Sequence, residues 1–381
     1  MPTTVKFIHT GDWQLGITRH FLSAEAQARY SEARLDAVRA IAELGRQEDC
    51  EFVVVAGDVF ESNQLDRQSV IRALDAMANF DVPLYLLPGN HDHNSAASVY
   101  RSSAFLKHCP ENVMVLDTSS PVTVPGSATE VVGAPWDSRQ PLLDLVAKTC
   151  SALTRSEESL RVLVAHGAVD EGSPDPGNPS LISLAAAQDA ISSGCVNYVA
   201  LGDRHSLTQV GETGRIWYAG TPLATDFGEE KPNHVLVVEL DRESINVQPR
   251  QVGGWTFVRK AFDVNNREDI DLIDEWLGSV EEKRSTIVKL SFVGTLDLTD
   301  KAHLDAVLDH YADLFAALET WERQTDLAVL PDDRDLQELG LTGFAEATLK
   351  ELRAQASAEG VGAETAQDAL SLLYRLAGGG S

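Results

Sequence analysis

Several things are scarce in this chain of 381 residues. It has only four cysteines, Cys50, Cys109, Cys150 and Cys195, far apart and never in a C-x-x-C pair. That excludes a zinc knuckle or a disulfide framework and makes reduced thiols of a cytoplasmic protein the expectation. No apolar run approaches the roughly 20 residues of a membrane span, so no membrane role is expected. The opening residues read at once as a strand, Val5-Lys6-Phe7-Ile8-His9-Thr10, rather than as a secretory leader. Positive charge is scarcest of all. Lys and Arg number 31 against 58 Asp and Glu, a formal net charge of -27. The deficit is spread evenly, -14 over residues 1–251 and -13 over 252–381. Grip on nucleic acid comes mainly from Lys and Arg neutralising phosphates, so charge by itself argues against a DNA-binding protein.

What is present is an ordinary soluble composition, 43% hydrophobic and 23% charged, in a chain long enough for two or three domains. Up to about residue 240, short β-branched runs alternate with amphipathic stretches. Strands are expected at Val5–His9, Phe52–Ala56, Leu84–Leu87, Val113–Leu116, Val131–Ala134, Val162–Ala165, Tyr198–Leu201, Ile216–Tyr218 and His234–Leu240. Helical spacing appears over 24–48, 66–79 and 181–193. So many strands suit an α/β fold of two packed β-sheets flanked by helices better than one parallel sheet. Pro249 to Trp255 reads as a linker. A strand (Phe257–Val264), a helix (269–282), a strand (Thr286–Phe292) and a helix (302–318) then suit a small α/β domain, and 343–357 and 364–377 read as helices. The expected domains are 1–250, 255–325 and a helical C-terminal region at 333–378, with the last offering a partner dock.

Five strands end in side chains suited to metal or phosphate. They run into Gly11-Asp12-Trp13-Gln14, Gly57-Asp58, Gly89-Asn90-His91-Asp92, His166-Gly167 and Gly202-Asp203-Arg204-His205. Sites in α/β sheets lie at the carboxyl ends of strands, so the five can converge. Singly, each has a bland reading. A Gly-Asp after a strand is a common turn, Asn90 and Asp92 could cap, His166 could be a core histidine, and Asp203 with Arg204 could be a surface pair. Arg19 and His20 read as a solvated loop, and Trp13 and Trp136 as core rather than base-stacking residues. Together, in this order, the five motifs form a specific signal.

The order resembles the calcineurin-like metallophosphoesterase superfamily: D-x-H, G-D, G-N-H-D, a lone H, then G-H-x-H. Within it, His9-Thr10-Gly11-Asp12-Trp13-Gln14-Leu15-Gly16 is similar to the H-T-x-D-W-H-L-G opening of the SbcD nuclease family. Gly57-Asp58-Val59-Phe60 and Tyr218-Ala219-Gly220-Thr221-Pro222, with Phe227-Gly228-Glu229, are similar to further SbcD segments. The resemblance covers residues 5–240 and extends more weakly over 255–320, where that family carries a capping domain.

The resemblance implies a phosphodiesterase acting through a hydroxide activated by two metal ions, most specifically a DNA exonuclease and endonuclease of repair. It implies that Asp58 bridges both ions. Asp12, Gln14 and His205 complete one site, Asn90, His166 and Asp203 the other, and His91 is catalytic, facing the phosphate. It also implies a homodimer, with 66–79 and 98–107 as candidate bundle segments, and a partner like SbcC, a coiled-coil ATPase. Two positions depart from the family. Gln14 stands where it has His, and Asp203 where it has the first His of G-H-x-H. Each site exchanges an imidazole for an oxygen, which favours Mn²⁺, admits Mg²⁺ or iron, and disfavours Zn²⁺. Two other readings stand beside the nuclease: a phosphodiesterase or phosphatase for small nucleotides or phosphoproteins, and a partly degenerate scaffold that holds metal poorly.

Overall fold

A computed structural model describes residues 4–173, 175, 177–329, 344–356, 362, 365–366 and 369–370. The first strands and helices are β1 (Val5–Thr10), α1 (Ala24–Gln47), β2 (Phe52–Val55), α2 (Arg67–Met77), β3 (Leu84–Leu86), α3 (Ser103–His108), β4 (Val113–Val115), β5 (Val122–Thr123) and β6 (Thr129–Ala134). There follow α4 (Leu145–Ala152), β7 (Leu160–His166), α5 (Leu184–Ser192), β8 (Tyr198–Gly202), β9 (Thr208–Gln209), β10 (Ile216–Tyr218), β11 (His234–Leu240) and β12 (Ile245–Gln251).

Two six-stranded sheets result, in the orders β12-β11-β1-β2-β3-β4 and β5-β6-β7-β8-β10-β9. Their inner faces share one core. Phe7, Phe52, Val54 and Tyr85 of the first sheet pack with Val131, Val162, Val164 and Tyr198 of the second. Phe7 and Phe52 stack at 4.8 Å. Alternate residues of the same strands face outward. Ile8, Val53 and Leu84 pack on Leu35 and Ile41 of α1 and Leu74 and Met77 of α2. Leu163 and Val199 pack on Val146 of α4 and Ala187 of α5. Both faces of the central strands are therefore covered, which is why β2 and β7 are buried at every residue. The expected two packed sheets with helices outside are the architecture found.

One reading needs correcting. Pro249 to Gln251 is not linker but the end of β12, paired along its length with β11. β12 is the outermost strand, where a proline's missing N–H breaks no ladder. The two-residue strands β5 and β9 also escaped notice, being too short to show alternation.

By contact, the chain divides into two compact units: residues 1–20 with 27–255, and residues 21–26 with 256–381. The second holds β13 (Thr256–Asp263), α6 (Arg267–Ser279), β14 (Thr286–Leu296), α7 (Leu298–Ala312), β15 (Ala317–Thr320) and β16 (Asp326–Val329). All pairings in its sheet are parallel. Ile270, Ile273 and Leu277 of α6 and Leu304 of α7 bury the sheet's Val288, Leu290 and Phe292. The helix read over 302–318 in fact spans 298–312 and gives way to β15. Helix Phe344–Ala356 forms where helical spacing predicts one. Most of 364–377, and all of 333–343, lie outside the described residues. Among the described residues no helix is long and apolar enough to cross a membrane.

Candidate metal centre

β1, β2 and β3 run parallel side by side in one sheet, and β7 and β8 in the other. Their carboxyl ends deliver the five motifs to one place. The turns that follow are tight and left-handed. Asp12, Gln14, Asp58 and Asp203 have φ of 53°, 45°, 50° and 95°. Non-glycine residues adopt such values rarely, and they gather where a site is over-determined by its surroundings. Here the surroundings are each other. Asp12 N–H donates to the Gly57 carbonyl at 3.1 Å and Gln14 N–H to the Asp58 carbonyl at 2.8 Å. Asp203 N–H donates to both Asp12 carboxylate oxygens, at 3.0 and 3.1 Å. A Cβ on Gly57 would overlap the His166 ring, and one on Gly202 would overlap the Ala56 carbonyl. Those two glycines let the sheets approach closely enough for the motifs to meet.

Asp12, Asp58 and His166 each present a ligand atom within 4.8 Å of the others'. His166 Nδ1 donates to the Ala56 carbonyl at 2.9 Å, which fixes the ring and turns Nε2 into the site. That Nε2 lies 2.7 Å from Asn90 Oδ1, 3.5 Å from Asp58 Oδ1 and 3.7 Å from Asp203 Oδ1. Across the site His205 is set the same way. Its Nδ1 faces Thr225 Oγ1 at 2.7 Å and Glu229 Oε1 at 3.0 Å, so Nε2 points inward, 3.3 Å from Gln14 Nε2. Gln14 Oε1 is buried and has no hydrogen-bond partner among the described residues.

His91 borders this cluster, with its side chain 36% exposed. Its backbone N–H donates to Asp58 Oδ1 at 3.0 Å. Its Nδ1 donates to the Glu61 carbonyl at 2.9 Å, and Nε2 stands 3.9 Å from Asp58 Oδ2. All eight residues singled out in the sequence thus gather at one site. Arg204 is exposed. Trp13 is core: it is buried, donates to Thr10 Oγ1 and stacks on Phe80. Arg19 is not solvated as expected, for its guanidinium donates to the Thr225 carbonyl at 2.7 Å.

Burial, with like charge from Asp58 and Asp203, pushes the Asp12 carboxyl up to about 7, against the opposing pull of His205 and His166. Burial would lower His166, but the carboxylates of Asp58, Asp12 and Asp203 together hold it well above its ordinary value. Burial would raise Asp58, but His166 and His91 bring it below. Three carboxylates are thus crowded together. Among the described residues no Lys or Arg pairs with any of them. Two imidazoles with Nε2 turned inward, an amide oxygen with no described partner and three carboxylates that no described Lys or Arg pairs fit divalent cations. The oxygen-rich balance fits hard ones.

Sequence reasoning missed the supports. Asp92 is not a helix cap. Fully buried, it accepts from Gly89 N at 2.7 Å, Phe60 N at 3.1 Å and the Tyr100 hydroxyl at 2.6 Å, bracing the loop that carries Asn90 and His91. Trp136 donates to the His166 carbonyl at 2.7 Å and packs edge-on to its ring. Glu229 and Thr225 orient His205, and Thr221 Oγ1 donates to the Asp12 carbonyl at 3.0 Å. Asp92, Thr221 and Glu229 fell within segments that the sequence had marked, but none had been read as a support.

A sequence profile of the calcineurin-like phosphoesterase family matches residues 5–238, and the chain belongs to that family. Among solved structures it is similar to the TT1561 protein of Thermus thermophilus, at 10% identity over 66% of this chain and 100% of that one, with a TM-score of 0.41. It is also similar to a dimetal phosphatase from Danio rerio, at 15% identity over 65% and 99% of the two chains, TM-score 0.39. A third is the purple acid phosphatase PPD1 of yellow lupin (Lupinus luteus) seeds, at 12% identity over 66% and 52%, TM-score 0.37. Membership makes the chain a metal-dependent phosphoester hydrolase, and the buried Asp12, Asp58 and His166 are a group able to hold the metal.

Proposed function

We propose that this calcineurin-like phosphoesterase is a DNA nuclease of the SbcD type, cutting phosphodiester bonds in the cytoplasm with two divalent ions, Mn²⁺ foremost. One observation carries the reading. The segments that resemble SbcD are wired into the site: Thr221 holds the Asp12 carbonyl and Glu229 orients His205. The likeness therefore attaches to the chemistry rather than to the fold alone.

Asp12, Gln14 and His205 would hold one ion, Asn90, His166 and Asp203 the other, and Asp58 both. When bound, the ions supply positive charge to a phosphoryl group and lower the pKa of water. The chain's own residues do the rest. Glu229 and the Ala56 carbonyl lock the two imidazoles so that each presents Nε2. The Glu61 carbonyl locks His91 Nδ1, so His91 exchanges its proton at Nε2, the atom facing Asp58 and solvent. As an imidazolium, His91 would give that proton to the leaving oxygen.

The net charge of -27 favours a second reading, a diesterase for small nucleotides, because such a substrate needs no broad basic surface. Under the nuclease reading a coiled-coil ATPase like SbcC supplies that surface. A homodimer forms through α2 and the segment around α3, where Leu106 is 69% exposed. Cleavage of labelled linear and hairpin DNA with Mn²⁺, beside an Asp58→Ala, His91→Ala double variant, tests the proposal. Cutting by the wild type alone supports it. Turnover of bis(p-nitrophenyl) phosphate without DNA cleavage, even when the ATPase is added, would replace it with the small-substrate reading.

A further inference from the structure

A cavity of about 560 Å³ opens directly beside the metal-type residues, sharing Asn90 and Asp203 with them. That lies within the roughly 300–1,000 Å³ of small-ligand pockets. Trp136, 8% exposed, forms part of the wall, its indole fixed by its bond to the His166 carbonyl. Leu142 lies on the lining with 85% of its surface exposed, an apolar side chain held out at the mouth. The same lining carries Asn178, whose side-chain oxygen already accepts from Ser180, leaving its amide N–H₂ to donate. Arg139 is the one cation of the lining. It is exposed and makes no hydrogen bond or ion pair with another described residue.

These are the complements of one kind of molecule. A nucleoside has a base with flat apolar faces and a polar edge, and within a strand or a nucleotide its sugar bears an anionic phosphate. Leu142 answers an apolar face and Asn178 the edge, with Trp136 as the wall behind. Arg139 offers a planar fork to a phosphate oxygen or a base edge.

We propose that this cavity is the subsite for the nucleoside esterified to the scissile phosphate, with Arg139 and Leu142 determining substrate specificity. The inference rests on the reading of the centre as a phosphodiesterase. It holds whether the nucleoside belongs to a DNA strand or to a free nucleotide.

The test is inhibition of bis(p-nitrophenyl) phosphate turnover, in Mn²⁺, by thymidine 5′-monophosphate and by inorganic phosphate. In the wild type the nucleotide should inhibit at least about tenfold more tightly than phosphate. Arg139→Ala and Leu142→Asp should each bring the two inhibition constants together, and Arg139→Lys should restore part of the gap. Ligand-observed NMR with unphosphorylated thymidine and metal-stripped protein reads the cavity without turnover. Saturation transfer should appear in the wild type and vanish in Leu142→Asp. Equal inhibition constants in the wild type, or transfer that persists in Leu142→Asp, would overturn the subsite. Failure of the nuclease reading shows separately, as an intact inhibition gap with no DNA cleaved. Failure of the subsite alone shows as DNA cleaved equally by the wild type and both variants.

Discussion

Gln14 and Asp203 set this centre apart from an imidazole-rich one. Gln14 Oε1 is buried with no partner among the described residues, so its amide offers an oxygen to a cation but no charge. Gln14→His should therefore make the protein keep metal through dialysis that strips the wild type and move its preference toward zinc, read by elemental analysis. His91 should separate from the ligands. His91→Ala is expected to lower kcat by roughly 10²–10⁴ with metal content unchanged, since His91 is proposed to move a proton rather than hold an ion. One histidine outside the site bears on stability. His9, buried between Tyr198 and the Leu201 carbonyl, is pushed down by burial to about 3 from its ordinary 6.5. The unfolded chain thus binds a proton that the fold refuses. His9 leaves stability intact above pH 6.5 and erodes it as pH falls from 6.5 toward 3, by up to about 1.4 kcal/mol per pH unit. Denaturation between about pH 7 and 4.5 should show a shallower loss in His9→Gln than in the wild type. At this scale the chemistry-bearing residues were legible because each ends a hydrophobic strand. Their supports were not. Asp92, Trp136 and Thr225 act through the fold, and nothing in sequence spacing joins Thr225 to His205 or Trp136 to His166.

Among the elements, central strands were legible because both of their faces are buried and the runs are continuous, as in Phe52–Val55 and Leu160–His166. Edges were not. β5 and β9 have two residues each, and β12 reads as a linker because Pro249 looks like punctuation until β12 is seen to lie outermost. β15 and β16 were hidden for another reason, their four-residue strands following a helix whose apolar pattern seemed to continue. The elements meet at glycines, where an added methyl group tests the packing. Gly202→Ala would drive its Cβ into the Ala56 carbonyl, and Gly57→Ala into His166 at a φ of 89°. Each should lower stability by roughly 1–3 kcal/mol in urea denaturation, and both should impair metal binding. An alanine at Gly126, where nothing lies within 4 Å, disturbs only a loop and should leave metal content at the wild-type level.

For the whole molecule, charge is the governing quantity. At -27 the isolated chain should bind DNA weakly, with an affinity that changes little between low and physiological salt, because few phosphates are neutralised. Tight, steeply salt-dependent binding in a fluorescence anisotropy titration, with no partner present, would show a basic surface that the composition conceals. What the fold adds to the composition is locality. An acidic protein gathers Asp12, Asp58 and Asp203 into a pocket where no described Lys or Arg pairs with them, which only bound cations would make attractive to phosphate. The measurement that tests this most directly is titration of Mn²⁺ into metal-stripped protein, following bound metal and turnover of bis(p-nitrophenyl) phosphate together. Two ions per chain are expected, with turnover appearing as the second binds, and Asp58→Asn should lose both. Full turnover in chelator, or in Asp58→Asn, would contradict the account.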